Sequence, residues 1–242
     1  MSAPALSVVI PAFNEEQRLP PTLARLRRYL DARGGSYELV VVDDGSSDAT
    51  AERARAAGDD VVRVLVNERN RGKGYSVKRG MLAAHGSLRL MTDADLSTPI
   101  EDLPRLEAAV AQGHGIAIGS RAVLGANVEV HQGGLREGAG RAFNLLVRAL
   151  ALPRLQDTQC GFKLFTAAAA QAAFERARLD GFAFDVEALF LAQRAGMRIA
   201  EVPVTWRNDV AVASRVSPWN GARAFLDVLR LRTDAWLGRY DD

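Results

Sequence analysis

Leu88-Arg-Leu-Met-Thr-Asp-Ala-Asp-Leu96 joins a short apolar run to two aspartates one residue apart. Leu88 to Met91 has the length and hydrophobicity of a buried strand, and the acids fall where that strand would end. In an open parallel sheet, ligands collect beyond the carboxyl ends of the strands. In an extended segment, residues two apart project the same way. The carboxylates of Asp93 and Asp95 would then serve one hard cation or its water shell, with the small Ala94 allowing close backbone approach. Magnesium or manganese held there would neutralise charge on a departing diphosphate. Asp-x-Asp alone is common in loops, and Ser97-Thr98-Pro99 equally suit a helix start.

The pattern extends upstream. Val8-Val-Ile10, Leu39-Val-Val-Val42, Val61-Val-Arg-Val-Leu-Val66 and, downstream, Ile116-Ala-Ile118 also read as buried strands. Leu19, Leu23, Leu26 and Leu30 recur at helical spacing between the first two, and Ala49 to Ala57, Tyr75 to Ala84 and Asp102 to Ala111 supply further helices. Strands alternating with helices predict right-handed crossovers and an α/β fold with a mostly parallel central sheet flanked by helices. Two more expected strand ends are acidic, Pro11-Ala-Phe-Asn-Glu-Glu16 and Asp43-Asp-Gly-Ser-Ser-Asp48. Three such ends on one edge predict a site whose charge must be offset by a cation.

The chain has 242 residues, 48% hydrophobic and 25% charged, enough for one large domain with a sizeable core. A formal net charge of +2 gives no reason to expect nucleic-acid binding. One cysteine, Cys160, excludes an intrachain disulfide and suits a reducing, cytoplasmic setting. Neither a signal-peptide pattern nor a spanning apolar run is expected, so a membrane would be met only from its cytoplasmic face. Ala122 to Glu137, rich in Gly and Asn, reads as a long mobile loop, followed by a helix over Arg141 to Ala151 and a strand over Val202 to Trp206. Pro218 to Tyr240 reads as an amphipathic helical tail with several arginines, dividing the chain into a domain (1–217) and a tail (218–242). The tail suits docking on lipid headgroups, or packing on the domain through Phe225, Leu229 and Trp236.

Asn67-Glu-Arg-Asn-Arg-Gly-Lys-Gly74 precedes a helix; Gly72 and Gly74 would offer backbone amides to an anion beside Lys73. It is not a Walker loop, because Gly74 stands where Ser or Thr is required. Gly133-Gly-Leu-Arg-Glu-Gly-Ala-Gly140 mimics a dinucleotide fingerprint but follows no strand. Arg121 and Arg141 sit near the edges of the long loop, and an arginine fork suits phosphate. Phe184-Asp-Val-Glu187 places two acids in an apolar setting, where carboxylates are paired or functional. His85, His114 and His131 lack metal-ligand spacing, and Cys160 lacks a histidine partner.

In this order the pieces resemble glycosyltransferase family 2, inverting enzymes with a GT-A fold. The likeness rests on Pro11-Ala-Phe-Asn-Glu15, Asp43-Asp-Gly-Ser46, Asn70-Arg-Gly-Lys-Gly74 and Asp93-Ala-Asp95. Asp157-Thr-Gln-Cys-Gly-Phe-Lys163 and Phe184-Asp-Val-Glu187 look most like the dolichyl-phosphate β-glucosyltransferase branch, near the polyprenyl-phosphate transferases. The resemblance implies that Pro11, Ala12, Phe13 and Glu15 line the nucleotide pocket, that Asp44 recognises the base, and that Lys73 approaches the nucleotide. It implies that Asp93 and Asp95, around Ala94, hold Mg2+ or Mn2+ and the diphosphate, and that Arg121, Arg141 and Arg215 face an acceptor phosphate. UDP-glucose is the implied donor and a lipid phosphate the implied acceptor. Eukaryotic members of the branch carry a transmembrane anchor that is not expected here.

Inversion requires in-line attack with the diphosphate leaving opposite, and electrostatic stabilisation of that charge is usually the largest catalytic term. A phosphate monoester, second pKa about 6, is already a nucleophile at neutral pH. A sugar hydroxyl would need a base, for which Asp185 is the candidate. Alternatives are a family 2 transferase acting on a glycan hydroxyl and a non-catalytic nucleotide-sugar-binding module. A nucleotidyltransferase is disfavoured, because Pro11-Ala-Phe-Asn stands where such enzymes carry a glycine-rich loop.

Overall fold

The computed structural model describes residues 3–57, 60–128, 134–207 and 218–241. Nine strands and eight α-helices are seen among them. The first half runs β1 (Leu6–Ala12), α1 (Leu19–Arg33), β2 (Tyr37–Asp43), α2 (Thr50–Ala56), β3 (Val62–Val66), α3 (Lys73–Ala83), β4 (Leu88–Thr92), α4 (Leu103–Ala111) and β5 (Ile116–Ser120). The second half adds β6 (Asn127–Val128), α5 (Gly134–Leu150), β7 (Phe162–Thr166), α6 (Ala167–Phe174), α7 (Phe184–Arg194), β8 (Ile199–Pro203), β9 (Thr205–Trp206) and α8 (Pro218–Trp236).

Seven strands form one sheet in the order β3-β2-β1-β4-β7-β5-β8, and β6 pairs with β9 in a separate ribbon. All neighbours in the large sheet are parallel except β7, which is antiparallel to β4 and to β5. The apolar runs predicted as strands are buried because helices cover both faces. Alternation sends Val8, Ile10 and Val41 to the layer under α1, with Leu19, Leu23 and Leu26, while Val9, Val40 and Val42 face Val77 and Met81 of α3. The chain steps outward from β1 to β2 and β3, then returns to place β4 on the other side of β1. That reversal opens a crevice beyond the ends of β1 and β4.

Several expectations are corrected. β4 stops at Thr92, and Asp93 to Asp95 lie in a turn, not an extended strand end; Leu96 N–H donates to the Asp93 carbonyl at 3.1 Å. The long loop is interrupted by β6, and α5 begins at Gly134, seven residues before the expected helix start. Glycines argue against a helix there; the contact of α5 with α8 and the burial of Phe143 and Val147 fall in the part of the helix already expected. Val202 to Trp206 is two strands, β8 and β9, separated at Val204. Thr205 N–H there turns aside to donate to Asp102 Oδ2 at 2.7 Å.

α8 crosses α5 with Phe143 and Phe225 edge to face, ring centroids 5.2 Å apart, and puts Ala224, Val228 and Leu231 into the core. Among the described residues no helix is long and apolar enough to cross a membrane.

Candidate active site

The loops after β1 and β2 are stitched together. Asn14 N–H donates to Ser46 Oγ at 2.8 Å, Ser47 N–H returns a bond to Asn14 Oδ1 at 2.9 Å, and Glu15 N–H reaches Thr50 Oγ1 at 2.7 Å. Asn14 and Leu96 are the two non-glycine residues with positive φ among those described, at 54° and 48°. They stand at the ends of β1 and β4, so backbone strain gathers on both walls of the crevice. Phe13 is exposed there, Pro11 is half-buried, and the Glu15 carboxylate grips Arg18 through two bonds of 2.5 and 2.6 Å. Ala12 and Ala94 are packed into the core beneath these loops.

Asp44, expected to face the base, is 4% exposed and holds the neighbouring loop. Its Oδ1 accepts from Asn67 Nδ2 at 2.7 Å and from Arg71 N–H at 3.0 Å; its Oδ2 accepts from Gly72 N–H at 2.8 Å. Gly74 N–H donates to the Asp180 carbonyl at 2.8 Å. The amides of Gly72 and Gly74 expected to bind an anion are therefore taken, a correction to the sequence reading. They anchor the first turn of α3, and what this loop presents is Lys73 itself. Its ammonium lies 2.7 Å from Asp93 Oδ1. Burial alone would depress the Lys73 pKa, but Asp93, Asp185 and Asp95 together hold it above the ordinary lysine range.

Gly161, just before β7, backs directly onto Asp93: a Cβ at that position would lie 2.0 Å from Oδ2. Asp95 Oδ1 accepts from Ser97 N–H at 2.9 Å in a local turn. Two carboxylates with hard oxygen donors, one of them seated against a glycine that leaves it room, suit a magnesium- or manganese-type ion. Among the described residues no group of three or more His, Cys, Asp or Glu is arranged to hold a metal alone.

Asp185, in the first turn of α7, is 6% exposed, and the buried Lys163 of β7 donates to its Oδ1 at 2.7 Å and to the Cys160 carbonyl at 2.5 Å. Burial pushes the Asp185 carboxyl up, an effect that Lys163 and Lys73 offset only in part. Lys163 stands in the motif that carries the branch resemblance, but the sequence reading assigned it no role. A lysine inside Phe162-Lys-Leu-Phe165 sits in a buried strand, where a charge requires a partner. Arg121, at the end of β5, is bound by Asp157 through a fork of 2.7 and 2.9 Å, with Trp206 5.4 Å from its guanidinium. Burial favours neutral Asp157, but the fork outweighs it and holds the carboxyl below its usual range.

The structure thus brings Lys73, Asp93, Asp95 and Asp185 into one cluster, with Arg121 on its far side within electrostatic reach of Asp93. The side chain of Arg141 and the whole of Arg215 lie outside the described residues, as does His131. Cys160 is buried, and burial raises its thiol, as suits a core residue.

A largely parallel sheet with a switch-point crevice walled by acids and a lysine defines a glycosyltransferase of the GT-A class. The sequence profile described as "Glycosyl transferase family 2" matches residues 7–177. The chain is 39% identical to the dolichyl-phosphate beta-glucosyltransferase of Drosophila melanogaster, over 96% of this chain and 76% of that one. It is 37% identical to the Homo sapiens protein of the same name, over 96% and 77%. Glucosyl-3-phosphoglycerate synthase from Mycobacterium tuberculosis, solved with Mn2+, UDP and glucosyl-3-phosphoglycerate, superposes with a TM-score of 0.66 at 22% identity, covering 98% of this chain and 80% of that one. The chain belongs to glycosyltransferase family 2.

Proposed function

We propose that the protein transfers glucose, with inversion, from UDP-glucose to a polyprenyl or dolichyl phosphate in a reaction that depends on a divalent metal. Relatives named for this activity, matched over 96% of this chain and 76–77% of their own length, favour it. The observation that carries the acceptor class is the Lys163–Asp185 pair. Asp185, the carboxylate that would serve as base, is held as a counter-ion to a buried lysine. An acceptor that arrives already ionised, as a phosphate monoester does, has no need of that base.

Asp93 and Asp95 would hold Mg2+ or Mn2+, which when bound supplies positive charge to the leaving diphosphate. The chain's own residues do the rest. Lys73 exchanges its contact with Asp93 for phosphate oxygens of the donor. Pro11, Phe13 and Glu15 line the nucleotide side of the crevice, and Asp44 holds the loop that aims Lys73. Arg121, fixed by Asp157, adds positive potential on the acceptor side; the part of Arg141 and Arg215 toward the acceptor phosphate is the one the family resemblance implies. A helix-borne membrane contact fits an insoluble acceptor: α5 and α8 expose Leu145, Leu226, Leu229 and Trp236 beside Arg148, Arg223 and Arg230.

Purified protein given UDP-glucose, Mn2+ and polyprenyl phosphate in detergent is expected to form a lipid-phosphate glucose that EDTA abolishes. Asp93→Asn is expected to lower the rate on the order of 100-fold or more. Asp185→Asn should lower it less and leave the acid limb of the parent's pH–rate profile in place. Transfer to a sugar hydroxyl in preference to the lipid phosphate would overturn the acceptor assignment.

A further inference from the structure

Tyr240 and Glu187 make a buried contact outside the Lys73–Asp93–Asp95–Asp185 cluster. Tyr240, 3% exposed, donates its hydroxyl to Glu187 Oε1 at 2.6 Å. Glu187, in α7, is fully buried, and its remaining bonds go to the backbone: Arg178 N–H at 2.9 Å on Oε1 and Leu179 N–H at 2.8 Å on Oε2. The next residue, Asp180, gives its carbonyl to Gly74 N–H at 2.8 Å and Tyr75 N–H at 3.3 Å. The fit is close on both sides of Lys73. A Cβ on Gly72 would lie 2.3 Å from the Asp180 carbonyl oxygen, and one on Gly74 2.5 Å from that of Leu179. Tyr240 is itself held in place, since its own carbonyl accepts from Arg176 at 3.1 Å and the next residue, Asp241, pairs with Arg194 at 2.6 Å.

We infer that Tyr240 and Glu187 are positioning residues for Lys73: the end of the chain sets the 178–181 segment, and that segment seats the turn presenting the ammonium to the diphosphate. Glu187 accepts three donors and Tyr240 supplies the one that closes the set. Without that hydroxyl the carboxylate is free to tilt, and the two backbone amides that fix 178–181 follow it. A buried carboxylate with too few donors is costly, so this bond is a strong one for its size. The inference rests on the proposed role of Lys73 toward the donor, and the test separates the two.

The test is a double-mutant cycle read by calorimetric titration of UDP in the presence of Mn2+. Lys73→Met alone should weaken UDP binding; no change there would remove the proposed role of Lys73, and the inference with it. Tyr240→Phe keeps the ring and loses only the hydroxyl, and is expected to weaken UDP binding about three- to tenfold, the loss of part of one charge-assisted bond. In the Lys73→Met background the same Tyr240→Phe change should have no further effect, because the residue it acts through is gone. Glu187→Gln, which cannot accept all three donors as well as a carboxylate, should follow the same pattern. An equal loss in both backgrounds would assign Tyr240 a merely structural role, and unchanged UDP binding by Tyr240→Phe in the parent would also overturn the inference.

Discussion

At the residue scale, the cluster is defined as much by what is missing beside Asp93 as by what is present. Gly161 has no side chain, and the Asp93 carboxylate occupies the place a Cβ would take, with Cγ 2.5 Å and Oδ2 2.0 Å from it. Gly161 is not among the positive-φ glycines, so an alanine meets no backbone strain there and acts only through the carboxylate. Gly161→Ala is therefore expected to leave the urea midpoint near that of the parent while lowering transfer about 100-fold, since a displacement near 1 Å suffices for that. Unchanged turnover would mean Asp93 is free to move without consequence. The sequence marked the acids of this cluster as a site but gave Gly161 and Lys163, which lie in the branch motif, no role in it. Asp93 and Asp95 stand out as a local pair, whereas Gly161 lies 68 residues from Asp93 and Lys163 lies 22 residues from Asp185, in elements whose contact only the sheet order creates.

At the scale of elements, α3 illustrates how a helix is fitted to both site and sheet. Its N-terminal turn carries Lys73, and its middle lies so close to β1 and β2 that a Cβ on Gly80 would meet Val9 Cγ1 at 2.4 Å and Val42 Cγ2 at 2.8 Å. Alanine is favoured over glycine in a helix interior by up to about 1 kcal/mol. Forcing a methyl group into a close-packed core costs roughly 1–3 kcal/mol. The second effect is the larger, so Gly80→Ala should lower stability, read as a lower urea midpoint with an unchanged slope; a rise in midpoint would show that the helix can lift off the sheet. The strand-helix rhythm through β5 was legible because each element announces itself by its own period. β7 was not, because Phe162-Lys-Leu-Phe165 has neither a clean alternation nor an apolar run, and its insertion between β4 and β5 is a matter of sheet topology. The helical start at Gly134 was equally hidden, because Gly134, Gly138 and Gly140 give that segment a low helix propensity.

For the whole molecule, the question is whether the last helix is an appendage or part of the body. Leu231 is 1% exposed and lies in the same core cluster as Phe165 and Leu189. Leu231→Ala is expected to cost about 2–5 kcal/mol, measured by chemical denaturation as a single transition. A cost near zero, or a separate early transition, would show α8 to be a detachable tail. The hydrophobic periodicity of the chain determined by itself that a parallel α/β sheet would form and that its strand ends would carry acids, because both depend on residues near one another in sequence. The tertiary structure alone decided which donors those acids keep. Asp44 is spent on a loop, Asp185 on a buried lysine, Arg121 on Asp157, and the chain end is tied to the turn that holds Lys73. A carboxylate's role depends on the charge and the hydrogen bonds that surround it, and those neighbours are set by packing across the fold.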